Sequence, residues 1–474
     1  MASPFLGLNI AFRSLMAHQQ AMEVVSHNVA NVNTPGFSRQ EPVFCAEGPY
    51  TVPEATRSTQ AGQVGMGVQV TQIRRLNQNF VSRSIWMENQ ALGHWEVMRE
   101  SLQHIEAIMP EPSDGGLSNT LDAFWGAWRD LSADPESMAL RAAVSEQGAR
   151  LADVIRTYSE QIAAYRQELN TQIQTYVQDI NDIVKEIAQL NDQIVAVRAV
   201  GDQPNDLLDQ RDQLVDRLSE LCHITYTEEE GGTATILMGG HFLVMRGEAA
   251  VLEAVPSVGD PTLLDVEWVD RSVAVAPGGG RLGGILEARD EAISGVLTSL
   301  DEIAAALVSE VNAVHRMGYG LDGSTGLDFF EGTSAATICL SGDVADLTRL
   351  ATAAEDPADP GHATGPGDGA IALAIAQVAD RTVLAGGSIT ISDHYRMMIG
   401  RIGLQAAHAE ANQDASEAMV AHLRDRRDQV SGVSLDEEAS NMIRYQRAYQ
   451  AAAKMITVVD QMIETLLNMG LVGR

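Results

Sequence analysis

The sequence predicts a mainly α fold with a β insert: a long-helix coiled coil or bundle whose core comes from both chain ends, plus a nested antiparallel β module. Three observations predict it. Residues 435–467 place Met442, Tyr445, Tyr449, Ala452, Ile456, Val459, Ile463 and Leu466 at unbroken steps of three and four, the spacing of a coiled-coil seam. The first helix repeats those steps with Phe5, Leu8, Phe12, Leu15, Gln19, Met22, Ser26 and Val29, two of them polar. From Leu140 to Val197 helical spacing persists long enough to span on the order of 90 Å, the signature of a rod rather than of a compact catalytic body. The expected layout is a terminal stem of residues 1–41 with 433–474, a helical rod of 42–222 with 277–432, and a β module at 223–276.

In chain order, Ser3-Pro4 supplies an N-cap and a first-turn proline for the opening helix. That helix stops near Asn33, because Thr34 precedes Pro35 and avoids the helical region. Pro35-Gly36 fits the central pair of a type II turn. Asn28, Asn31 and Asn33 stand just before the turn, where their amides bond local backbone. Val64, Met66, Val68, Val70 and Ile73 alternate with small or polar residues and predict a hairpin. Helix resumes from Phe80 to Ile108. After a Pro- and Gly-rich break, residues 117–132 put Leu121, Phe124, Trp125, Trp128 and Leu131 on one core-facing stripe. The long helix follows, then Gly201–Pro204 turns the chain into a helix at 205–221. Strands are expected at 223–228, 233–238, 241–246, 249–255, 263–269 and 273–276, separated by glycine turns. Helix returns at 284–317; 318–370 is irregular, with a mobile loop at Asp356–Gly369. Helices at 371–385 and 392–430 lead to Gly432, and Ser434 with Glu437 forms a capping box for the last helix.

Bulk properties narrow the function. The formal net charge is −32 over 474 residues, carried by the middle of the chain, while both ends are slightly basic. An acidic body lacks the basic footprint that nucleic acid requires. Cys45, Cys222 and Cys339 are too far apart for a metal knuckle or a disulfide framework. No run of apolar residues is long enough for a membrane span, and the N-terminus has no cleavable secretion signal. The Gly278–Gly283 run matches GxGxxG and precedes a helix, the one feature favouring a nucleotide-binding enzyme; the preceding strands read as antiparallel, and no second parallel strand follows. Asp202, Asn205, Asp206, Asp209 and Asp212 lie at a helix start, where carboxylates complement the helix dipole, and lack the glycine and closing Glu of a calcium loop. No residue set forms a catalytic, cofactor or metal constellation.

Four stretches resemble one family, the flagellar axial proteins of rod, hook and junction. Residues 28–40, Asn28 through Asn31, Pro35, Gly36, Arg39 and Gln40, are similar to the family's N-terminal signature, with Phe37 where Tyr is common. Residues 431–438 and 444–451 are similar to its C-terminal one. Residues 205–215, and 283–290 followed by 311–315 and 326–330, resemble the hook–filament junction branch. The resemblance implies an extracellular structural protein, not an enzyme, that joins hook to filament. It would be exported by the flagellar type III apparatus without cleavage and would need no cofactor. The implied partners are further copies in a ring or tube, the hook protein, a second hook-associated protein, and an export chaperone on the C-terminal helix. A hook or distal-rod protein is the alternative within the family. Phe5, Leu8, Phe12, Leu15, Met22 and Val29, with Met442, Tyr445, Tyr449, Ile456, Val459, Ile463 and Leu466, are the expected assembly interface.

Overall fold

In a computed structural model, residues 5–48, 65–229, 231–271, 273–275 and 278–471 are described; the Ser3-Pro4 start and Val64 lie outside them. The chain divides into two compact units. Unit 1 holds residues 1–90, 179–251 and 416–474; unit 2 holds 91–178 and 252–415.

The helices are α1 (Leu6–Ala30), α2 (Asn79–Ile108), α3 (Leu117–Ala133), α4 (Met138–Ala199), α5 (Asn205–Leu221), α6 (Gly280–Glu287), α7 (Ser294–His315), α8 (Ala370–Ala376), α9 (Ile391–Ser431) and α10 (Leu435–Leu471). Three of the four unit boundaries fall inside α2, α4 and α9, and the fourth between residues 251 and 252. A π-helical turn, Ala288–Ile293, joins α6 to α7. The resulting run Gly280–His315 is long and apolar enough to cross a membrane, but Leu300, Ile303, Leu307 and Val311 are buried inside unit 2.

In unit 1, α1 packs along α10 and is flanked by an antiparallel hairpin of β1 (Gln40–Ala46) and β2 (Val68–Arg75), with a register shift between Val43 and Phe44. A second sheet has the order β3 (Thr225–Glu228), β4 (Ala234–Met238), β5 (His241–Met245), β6 (Glu248–Ala249), all antiparallel. Asn191 of α4 pins it, donating to Ala234 O and Arg246 O at 2.9 and 2.7 Å and accepting from Ala234 N at 2.9 Å.

The segment expected as one module, 223–276, forms two sheets. β7 (Leu252–Pro256), β8 (Leu264–Trp268) and β9 (Val273–Ala274) make a separate antiparallel sheet in unit 2. Local alternation marks where strands occur, but their grouping depends on what each face is packed against. Here Asn170 of α4 bonds Thr262 O and Leu264 N, and the buried Arg289 reaches Leu264 O, so β7–β9 is tied to unit 2. The glycine run stands between this antiparallel sheet and α6, with Gly278 and Gly280 at positive φ; the strands before and after it, β9 with β8 and Phe330–Glu331 with Cys339–Leu340, pair antiparallel, so the parallel strand of a dinucleotide fold is absent among the described residues.

The core of unit 2 is the aromatic stripe expected on α3. Phe124 and Trp128 are fully buried and meet Phe329 and Phe330, with ring centroids 5.8 and 5.6 Å apart for Phe124 and 5.2 Å for Trp128–Phe329. The helix α6 approaches α2 through a glycine: a Cβ on Gly284 would stand 2.7 Å from His94 O and 3.1 Å from Val97 Cβ. Gly284→Ala is therefore expected to force the two helices apart at a cost of about 1–3 kcal/mol. Loss of amide protection in α6 and the facing part of α2 checks it; an unchanged exchange pattern would refute it. The loop expected to be mobile is tied at its ends: Asp368 accepts from Ala354 N and Ala370 N at 2.8 and 2.9 Å, and Glu355 bridges to Ala363.

Candidate assembly interface

The stem is built from α1 and α10. On α10 the a/d row is the least exposed row: Tyr445 and Ala452 are buried, and Met442, Tyr449, Ile456, Val459 and Ile463 are half-buried. The side chain of Leu466 lies outside the described residues. On α1 the geometry differs from the expected seam. Phe5, Phe12 and Val29 are exposed, at 50, 53 and 39 %, and Leu8, Leu15 and Met22 are half-buried. The buried face is Ala11, Ala17, Ala21, Val24, Val25 and Asn28. Ala21 and Val25 form a cluster with Tyr445, edged by Met22, Phe44 and Met442. Small side chains on α1 let the helix axes approach while α10 supplies the bulk; interhelical distance follows the side chains at the contact. The large α1 residues, displaced around the helix, are left on the outside of the pair.

Below the stem lies a polar node that collects residues from five elements of unit 1. Asn28, 1 % exposed, donates to Gln40 O at 2.9 Å and to Glu438 Oε2 at 3.1 Å, and accepts from Gln40 N at 2.9 Å. Arg39 donates through Nε to Glu438 Oε1 at 2.8 Å and also pairs with Glu437. Burial works against the Arg39 charge, but Glu437 and Glu438 overcome it and hold the guanidinium above its ordinary value. The Glu437 carboxylate thus serves Arg39, and the Ser434 side of the expected capping box is a long 3.5 Å contact to Glu437 N.

The helix α5 anchors the same turn. Asp209 accepts from Ser38 N at 2.9 Å and from Arg75 at 3.0 Å; Asp212 accepts from Arg75 at 2.7 Å and Asn77 at 3.2 Å. Asp206 accepts from Gln40 Nε2 at 2.7 Å, Asn205 donates to Ile73 O at 2.8 Å, and Gln213 donates to Pro35 O. Burial pushes the Asp209 carboxyl above the usual range despite Ser38 and Arg75. The acidic start of α5 is therefore a receptor for the 35–40 turn. Gly36 has φ +73°, as the type II turn requires, and a Cβ there would run into Gln213. An open cleft of about 640 Å³ is bordered by this turn, by Asp216 of α5 and by Arg427 and Ser431 at the end of α9.

Of the expected motif residues, the structure brings Asn28, Arg39 and Gln40 into the node, while Asn31 bonds its own helix at His27 O, 3.0 Å away. Pro35 and Gly36 are exposed at the cleft. Sequence reasoning missed Glu438, Arg75, Asp206, Asp209, Asp212 and Gln213 as their partners. The signal was present as acidic residues recurring at helical spacing on α5, read alone as dipole complements.

The remaining motif residues lie in unit 2. Asn312 accepts from Phe329 N and Phe330 N at 2.9 and 3.0 Å and donates to Phe330 O at 2.8 Å. His315 bonds Leu327 O through Nδ1 at 2.7 Å and accepts from Ala351 N through Nε2 at 3.1 Å, which fixes the Nδ1–H tautomer. Burial holds its imidazole below the ordinary value. These groups shape the chain rather than present reactive atoms. Among the described residues no group of three His, Cys, Asp or Glu side chains could hold a metal ion.

Three family models match the chain: Flagellar hook-associated protein FlgK helical domain at residues 102–330, Flagellar basal body rod FlgEFG protein C-terminal at 427–469, and Flagella basal body rod protein at 8–37. The Flagellar hook-associated protein 1 of Bacillus subtilis is 30 % identical, over all of both chains. That of Salmonella typhimurium is 26 % identical over 97 % of this chain and 99 % of its own. The fold is shared with the flagellar hook junction protein FlgK from Burkholderia pseudomallei, with a TM-score of 0.64, 17 % identity, and coverage of 73 % of this chain and 100 % of that one.

Proposed function

The chain belongs to the flagellar hook-associated protein 1 family, and from that premise we propose that it joins hook to filament through contacts of its α1–α10 stem with further copies. It is a structural component of the bacterial flagellum, an extracellular appendage. The observation that carries the stem contact is the apolar surface left outside the pair. Phe5, Phe12 and Met16 of α1 are 50, 53 and 48 % exposed, and Ile443, Met455, Met462 and Leu467 of α10 are 52, 55, 61 and 64 % exposed. Large apolar side chains collected on one two-helix element mark an interaction surface.

In this reading the two flanks are covered by neighbouring subunits in a ring or tube, with the hook protein on one side and a second hook-associated protein on the other. Export through the flagellar type III apparatus, with a chaperone shielding the outer face of α10, would keep that surface from associating early. The node holds α1, the 35–40 turn and α10 as one rigid base, so that a subunit presents both flanks in fixed register.

A strain lacking this chain is expected to build complete hooks and to release filament protein into the medium unattached. Restoration by the wild-type chain, but not by one with Phe5, Phe12, Met455 and Met462 changed to Ser, ties the defect to the stem. Motile deletion cells with normal filaments would overturn the assignment.

A further inference from the structure

We propose that His18 makes closure of the stem acid-sensitive: a proton on its imidazole is disfavoured in the α1–α10 seam and weakens the packing of the two helices. The effect on the polymer rests on the junction reading; the effect on the chain does not.

His18 shares a helical stripe with Ala11, Ala21, Val25 and Asn28 and sits in the seam between β1 and α10. Its ring lies 5.5 Å from that of Phe44 and is stacked 6.2 Å from that of Tyr445, while Phe44 and Tyr445 are themselves 5.8 Å apart. Its Nδ1 is buried without a hydrogen-bond partner. A neutral imidazole can leave one nitrogen as an unprotonated acceptor at modest cost. His18 as a whole is half-buried, but an imidazolium carries N–H on both nitrogens, so its second N–H falls on the buried Nδ1, where no acceptor meets it.

The charged groups around it do not relieve that cost. On α10, Arg444 stands 5.0 Å from the Tyr445 centroid and donates to its hydroxyl at 3.2 Å, so the same ring already carries a cation. On the β1 side, Glu47 is ion-paired with Arg13. On α1 itself the positions a turn away are Ser14, Leu15, Ala21 and Met22, none acidic. Burial accordingly holds the His18 imidazole below its ordinary value of 6.5. The sign follows: the opened stem binds the extra proton first, so stem stability falls as pH drops through the ordinary histidine range and levels off below the depressed value.

The test uses the unassembled full-length chain. Histidine ring resonances, assigned by difference with His18→Gln, should show His18 titrating below 6.5. Amide protection of the segment around Tyr445, corrected for intrinsic exchange, should fall at least several-fold on acidification from about pH 7 to about pH 5 in the wild type, across the histidine range. His18→Gln and His18→Phe should both lose that pH response; the second fills the seam without a titratable atom, so packing loss and proton uptake separate. A His18 ring that titrates at or above its ordinary value, or variants that keep the wild-type response, would overturn the proposal. Since neither readout needs a polymer, a chain that fails to complement the deletion strain but shows the titration would sink the junction reading alone.

Discussion

Glu438→Ala is expected to destabilise the base of the stem by about 3–5 kcal/mol, the cost of breaking a buried ion pair from one side. The Glu438 side chain is 2 % exposed and that of Arg39 18 %. The carboxylate takes two Arg39 nitrogens, each at 2.8 Å, and the Asn28 amide at 3.1 Å. Removing it leaves Arg39 with only Glu437, whose side chain is 62 % exposed, and leaves the Asn28 amide with only Gln40 O. The loss exceeds what an exposed pair would show, about 0–1 kcal/mol. Because the chain has two compact units, a single unfolding midpoint is the wrong observable. Peptide-resolved amide exchange is the check: α1, the 35–40 turn and the start of α10 should lose protection, while α3 in unit 2 should not. Glu438→Gln, which keeps an acceptor oxygen but not the charge, should fall between. The same variant is expected to fail in complementation, since the two outer flanks of the stem would no longer be held in register.

Arg141→Ala should be of similar size, about 3–5 kcal/mol, and confined to unit 2. Arg141 is completely buried near the start of α4, yet no carboxylate pairs with it among the described residues. Its guanidinium donates to Pro135 O at 2.8 Å, Leu347 O at 3.1 Å, Leu350 O at 2.7 Å and Thr352 Oγ1 at 2.8 Å. Burial pushes it below its ordinary value; an arginine still stays charged there. A buried acceptor left without a donor costs about 1–3 kcal/mol; the total stays near the stated size because Leu347 O keeps the Leu350 amide and water can enter the polar space vacated. Arg141→Lys should rescue little, because an ammonium cannot span the fork. Exchange in 347–352 reports the result; protection there unchanged in Arg141→Ala would refute the account.

These two arginines show why part of the molecule was legible and part was not. The stripe on α3, the length of α4 and the a/d row of α10 are local patterns, and burial follows them closely because each is written within one element. Arg141 reaches acceptors about two hundred residues away, its bond to Leu350 O spanning 209 positions. No local pattern distinguishes it from a solvated arginine. The 318–369 stretch was unreadable for the same reason. Its short ladder of Phe330–Glu331 with Cys339–Leu340 and its anchor on Asn312 are created by packing, not by periodicity. Likewise, alternation located the strands of 223–276, while the division into a four-stranded and a three-stranded sheet depended on Asn191 and Asn170 of α4.

By itself the sequence determined that both chain ends are helices with three-and-four periodicity, that the Pro35-Gly36 turn closes the first, and which row of α10 is least exposed among its described residues, turned toward α1. Only the tertiary structure decided which face of α1 meets it. That helix carries two stripes of the same period, a large one through Phe5, Leu8, Phe12 and Leu15 and a small one through Ala11, Ala21, Val25 and Asn28. Periodicity cannot choose between stripes that differ only in phase. The choice rests on volume: Tyr445 and Met442 already fill the space between the axes, so close approach selects the small stripe and turns the large one outward.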